Sequence, residues 1–292
     1  QYRNDWFNDV KCPQDLEGVH TIKTNHKNAM SFLDALVDGD EAIVKPYLLD
    51  HNRAPVVSSL SGSGTSRTVV LMDATGSMGT LLQRAKYQVG VMFERAEEIL
   101  ANPKYHVKPG SFQVQFVCYR NYSASRHQGG ADGLLVASPW ESKAHNLKTF
   151  METVRASGGQ GANEAVEVGL AHVNTLAENE GDVSQVILIG DAPPNTQEEV
   201  ICKSSGHPCE TTYWETEVDR LKQHNIPVHA FYVIPYAQSG FEQIAQRTGG
   251  VCSFLDVNSE QGADLLVDAV TIQILGSVGG DVAVADYNAK FV

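Results

Sequence analysis

The chain alternates short apolar runs with stretches of helical period from about residue 67 onward. Val69–Met72 is an apolar run that stops on Asp73, and Leu81, Leu82, Ala85, Val89, Met92 and Phe93 follow at helical spacing, predicting a helix over 78–101. Val114, Phe116 and Cys118 mark a strand over 112–119, and residues 134–137 a short third one. Helices are predicted over 142–155 and 163–178. Val186–Gly190 is nearly all apolar, the pattern of a strand covered on both faces of a parallel sheet. A helix over 211–224, a strand over 228–234, a helix over 239–248, a strand over 251–255 and a helix over 260–275 complete the series. Strand–helix alternation implies right-handed βαβ units and a mainly parallel, doubly wound α/β sheet flanked by helices.

Outside this block the pattern changes. Residues 1–57 carry a polar stretch anchored by Trp6 and Phe7, then helical spacing through Ala29, Phe32, Leu33, Leu36 and Val37, which reads as an N-terminal helical extension. Residues 58–66 are a Ser/Gly linker with no Gly-Lys-Ser/Thr to make a phosphate loop of it. Residues 67–275 form the main domain, and 276–292, with a Gly-Gly pair and no clear period, a C-terminal tail.

With 42% hydrophobic and 20% charged residues among 292, the composition is globular. The formal net charge of −13 and the lack of a Lys/Arg stripe argue against nucleic acid as a partner. No run of about 18 uninterrupted apolar residues is present, so no membrane insertion is expected. The chain starts at Gln1 with no signal-like segment, as a fragment or processed form would. Asn121-Tyr-Ser123 is a glycosylation triplet of a kind that arises often by chance. Five cysteines, an odd and sparse set, do not make a disulfide scaffold, and an intracellular location is preferred. Cys118 and Cys252 read as buried thiols. Cys202 and Cys209 with His207 between them have spacing that fits no standard zinc site, and an ordinary loop is the better reading.

The chemistry concentrates where strands end. Asp73, Thr75 and Ser77 alternate through the turn after the first strand, and Asp191 ends the strand 186–190. In open α/β sheets ligands bind at such carboxyl ends, where the strand order reverses. Two carboxylates about 4 Å apart repel by about 4 kcal/mol at an effective dielectric near 20, and a divalent cation between them removes the conflict. Carboxylate and hydroxyl oxygens suit a hard ion. Each aspartate alone would also serve as a helix or turn cap.

Asp73-Ala-Thr-Gly-Ser77 resembles the Asp-x-Ser/Thr-x-Ser metal motif of the von Willebrand factor type A domain. The likeness covers about 66–275 and extends to Tyr119-Arg-Asn121, Gly158-Gly159 before Glu164-Ala165, Gly190-Asp-Ala-Pro-Pro194 and Thr248-Gly-Gly-Val251. It is greatest for the intracellular subset, which includes domains beside alpha-type kinases. The resemblance implies a Rossmann-like fold and a metal-ion-dependent adhesion site. Asp73, Thr75, Ser77 and Asp191 would bind Mg²⁺, or Mn²⁺ or Ca²⁺, and a protein partner would complete the shell with an acidic side chain. It also implies that the domain catalyses nothing. The second loop departs from the family pattern: Gly161 stands where a Thr or Asp ligand is usual. Gln160, Asn163 or water are candidates to replace it, and Arg120 and Asn195 are candidate rim residues.

Two other readings compete. One is the same fold acting as a scaffold without an ion. The other is a haloacid-dehalogenase-like, Mg²⁺-dependent phosphatase with Asp73 as nucleophile, although Thr75 stands where many such enzymes need an acid. No Gly-x-Ser-x-Gly elbow and no helical His-x3-His pair supports a serine hydrolase or zinc protease.

Overall fold

The computed structural model describes residues 66–108, 110, 112–123, 133–159, 161–205, 210–256 and 262–292. The N-terminal extension, nearly all of the linker, Gln160, His207 and Cys209 therefore lie outside the described residues. Six strands form one sheet: β1 (Ser66–Asp73), β2 (Phe112–Tyr119), β3 (Leu135–Ala137), β4 (Val183–Gly190), β5 (Val228–Tyr232) and β6 (Cys252–Phe254). Seven helices join them: α1 (Gly79–Leu100), α2 (Ala144–Thr153), α3 (Val166–Glu180), α4 (Gln197–Lys203), α5 (Trp214–Gln223), α6 (Gln238–Thr248) and α7 (Gly262–Phe291).

The strand order is β3-β2-β1-β4-β5-β6. All neighbours are parallel except β2 and β3, which are antiparallel with Val117 opposite Ala137. The chain runs outward from β1 through β2 and β3, returns to β4 on the other side of β1, and continues outward. The reversal point lies between the carboxyl ends of β1 and β4, where Asp73 closes one strand and Asp191 follows the other.

Period-two alternation builds a core on each face. Val70 and Met72 of β1, Phe116 and Cys118 of β2 and Ile187 and Ile189 of β4 join α1, α2 and α7. Val69 and Leu71, Val117 and Tyr119, and Val186 and Leu188 join α3, α5 and α6. Gly250 precedes β6 because nothing larger fits: a Cβ there would lie 2.0 Å from the Val228 carbonyl oxygen.

The C-terminal tail differs from the expectation. α7 does not stop near residue 275; helix continues to Phe291, broken at Gly280, which has φ 66° and ψ −168°. The two arms meet across the break. Tyr287 donates to Asp268 Oδ1 at 2.5 Å, and Arg95 of α1 pairs with Asp268 at 2.9 Å. Ala283 and Tyr287 are fully buried in the core beneath α1. The 264–291 stretch is long and apolar enough, with a mean hydropathy of 1.4, to pass a membrane-span test by length and composition. Gly280 breaks it, and a third of its most apolar window is buried. The period is obscured because Gly279 and Gly280 interrupt the pattern and the second arm opens with the consecutive small apolar residues Val282, Ala283, Val284 and Ala285.

Candidate metal centre

Three loops meet at the reversal point. The first leaves β1 at Asp73, whose Oδ1 accepts the Thr75 N–H at 2.7 Å. The Met78 N–H then closes a turn on the Thr75 carbonyl, and Thr75 Oγ1 lies 3.1 Å from Ser77 Oγ. The alternation seen in the sequence thus brings these two hydroxyls together. The second loop is tied to the first twice: Gly76 N–H donates to Gly158 O at 3.2 Å, and Ser157 N–H to Ala74 O at 3.0 Å. The third loop follows β4, which approaches β1 and β2 closely at Gly190. A Cβ on Gly190 would lie 2.6 Å from the Tyr119 hydroxyl and 3.3 Å from Asp73 Cβ.

Asp73 is fully buried, and burial drives its carboxyl well above the usual range; the neighbouring charges of Asp191 and Glu164 push the same way. Its Oδ2 is buried with no hydrogen-bond partner among the described residues. Tyr119, packed beneath, also has a buried hydroxyl without a partner, and burial raises it well above the ordinary tyrosine value. Asp191 is 9% exposed and stands at the mouth.

A third acid belongs to this group and was missed as a candidate ligand. Glu164 was assigned to a helix, but α3 begins at Val166. Glu164 instead bridges the second and third loops: its N–H donates to Pro193 O at 3.0 Å, and its carbonyl accepts the Asn195 N–H at 3.0 Å. A Cβ placed on Gly159 would lie 3.1 Å from both Glu164 Oε1 and Thr75 Cβ, so the backbone of Gly159 runs beside both side chains. Burial raises Glu164 to about 7; Lys203 opposes the shift and Asp191 adds to it. Asn121 also hydrogen-bonds the Glu164 side chain, and Glu164 Oε2 is buried without a partner among the described residues. Glu167, one helical turn further, is also raised to about 7 by burial, and accepts from Asn195 Nδ2 at 3.0 Å.

The other candidates take different positions. Arg120 is fully buried, and its guanidinium donates to the carbonyls of Ala74, Gly133 and Arg155 at 3.1, 2.5 and 2.6 Å. It fastens the first loop and is not on an accessible rim. Asn195 is 1% exposed and links Glu167 to Lys203. The Asn163 side chain is held by Glu199 at 2.6 Å and by the Tyr236 hydroxyl at 2.8 Å, while its carbonyl accepts from Asn121 at 2.7 Å and from Lys203 at 3.1 Å. Cys118 is buried, Cys252 half-buried and Cys202 exposed. Lys203, which nothing in the local pattern singled out, stands against Gly161.

The candidate donors near the reversal point are Asp73, Asp191, Thr75 and Ser77, with Glu164 among the neighbouring charges. No group of three His, Cys, Asp or Glu side chains with metal-site geometry occurs among the described residues. Asp73, Asp191 and Glu164 therefore do not form one together, and an ion here would need the hydroxyls of Thr75 and Ser77 beside the two aspartates. Two observations fit a hard cation: among the described residues one oxygen each of Asp73 and Glu164 is buried without a partner, and the charge of Asp191 raises both acids.

No family model matches the chain. A protein of Acanthamoeba polyphaga mimivirus with the provisional name ariadne-like RING finger protein R811 is 28% identical over 129 residues, which is 43% of this chain and 11% of that protein. The chain thus spans about a tenth of the length of the curated relative it matches. This match corrects the expectation that the chain is not an enzyme: the 129 matched residues align with a small part of a protein named as an ariadne-like RING finger protein. That expectation rested on the family resemblance, and no family model supports it.

Proposed function

We propose that residues 67–275 form a von Willebrand factor type A-like module, with its Rossmann-like topology, that binds a protein partner through a divalent cation at the carboxyl edge of the sheet. The observation that carries this reading is the convergence at the reversal point. Asp73 lies buried with one oxygen partnerless, beside Asp191 and a pair of hydroxyls 3.1 Å apart.

Asp73, Thr75, Ser77 and Asp191 would hold Mg²⁺ or Mn²⁺, with water in place of the side chain that Gly161 lacks. When bound, the ion neutralises the buried acids and offers an open position to an anionic oxygen. The chain's own residues orient the donors. The Thr75 N–H fixes one oxygen of Asp73, Arg120 anchors Ala74, and the Glu164–Pro194 bridge sets the second loop against the third.

Calorimetry with Mn²⁺ and Mg²⁺ tests this on the whole chain. Binding heat is expected for the native protein and is expected to be lost in Asp73→Ala. Equal heats from both would remove the ion from the proposal. Mg²⁺-dependent turnover of a phosphomonoester that disappears in Asp73→Asn would replace the adhesion reading with phosphoryl transfer.

A further inference from the structure

We propose that Lys203 is a cation built into this site: its ammonium fills the space beside the second loop that a ligand side chain at residue 161 would take, and it lowers the site's affinity for a divalent ion. The inference rests on the cation site proposed above.

The ammonium is fully engaged. It donates to Asn195 Oδ1 at 2.6 Å, to Glu199 Oε1 at 3.0 Å and to the Asn163 carbonyl at 3.1 Å, three acceptors for three N–H groups. Its carrier is rigid. α4 starts with a capping box in which Thr196 and Glu199 bond each other's backbone N–H, and Glu199 then meets Lys203 one turn on. Gly161 makes room for it. That residue has φ +125°, and a Cβ there would stand 3.0 Å from Lys203 Nζ. The departure at residue 161 and the lysine 42 positions later are thus two parts of one arrangement.

The charge balance follows from the same contacts. Two of the three acceptors are neutral, so part of the ammonium's field remains for the acids around it, and Glu164 is stabilised as an anion by Lys203. A divalent ion held by Asp73 and Asp191 is repelled by the fixed ammonium. Removing the positive charge eliminates that repulsion.

The test is Mn²⁺ calorimetry at pH 8 on the full chain, with thermal melting in metal-free buffer as a control for folding. Lys203→Met is expected to bind Mn²⁺ about tenfold more tightly than the native protein, while its metal-free melting temperature falls because Asn195 and Glu199 lose their partner. Lys203→Arg keeps the charge and is expected to bind as the native protein does. If Lys203→Met does not fold, Lys203→Gln, which retains a donor for Asn195, is expected to show the same tightening. Native-like or weaker binding in the neutral variants overturns the role of Lys203 and leaves the cation site standing. An equal gain in Lys203→Arg also overturns it, because packing and not charge would then be responsible. Absence of Mn²⁺ heat in the native chain and all variants, as in Asp73→Ala, overturns the site itself.

Discussion

Asp73 is costly to the folded chain in the absence of a cation. Its carboxyl is fully buried, one oxygen has no partner, and two further acids lie nearby. Groups kept under such conditions trade stability for function. Asp73→Asn retains the oxygen that accepts the Thr75 N–H and removes the charge. It is expected to raise metal-free stability by about 1 kcal/mol and to abolish any Mn²⁺-induced rise in melting temperature. Urea denaturation with and without Mn²⁺ measures both; a metal-free loss of stability would refute the charge argument. Asp73 and Asp191 were legible in the sequence because each ends an apolar run, so strand assignment alone places them at the sheet edge. Glu164 and Lys203 were not. Glu164 bonds Pro193 and Asn195, Lys203 reaches Asn163 40 residues away, and no local period reports such distances.

At the scale of elements, the strands and the longer helices follow from periodicity, and most bounds moved by only a few residues. α7 is the exception. Its second arm is held by Tyr287 on Asp268, by Tyr105 and Lys104 on Asp286 and by Lys290 on Glu98, all long-range pairs. The apparent tail is therefore part of the domain. Deleting 276–292 uncovers the apolar surface that Ala283 and Tyr287 bury against α1. It is expected to cost about 3 kcal/mol. The midpoint of urea unfolding for the chain ending at Leu275 checks this, and an unchanged midpoint would show that the arm is dispensable. Short α4 escaped notice for a related reason: seven residues span only two turns, too few to display a period.

For the whole molecule, His229 on β5 provides a pH dependence separate from the acidic site. Burial lowers its ring from 6.5 to about 4, and its Nδ1 accepts the Val251 N–H at 3.4 Å, which requires the neutral form. The unfolded chain takes up a proton between these values and the folded chain refuses it. This contribution is complete above pH 6.5 and declines as the pH falls toward 4, by about 3 kcal/mol at most. His229→Gln is expected to flatten the stability profile in that window, and an unchanged slope in chemical denaturation would assign it to other groups.

The strand order places the site, and it is a property of the whole chain. The sequence by itself determined that strands and helices alternate, that the strands carry two-sided apolar runs, and that Asp73 and Asp191 stand where runs end, because each of these depends on residues within a few positions of one another. Only the tertiary structure decided that β1 and β4 are neighbours, that Glu164 leaves the helix for the loop junction, that Lys203 takes the room beside Gly161, and that the last arm folds back on α1. Those outcomes depend on long-range pairing and on which buried charges find partners, and their energies exist only after the chain has closed.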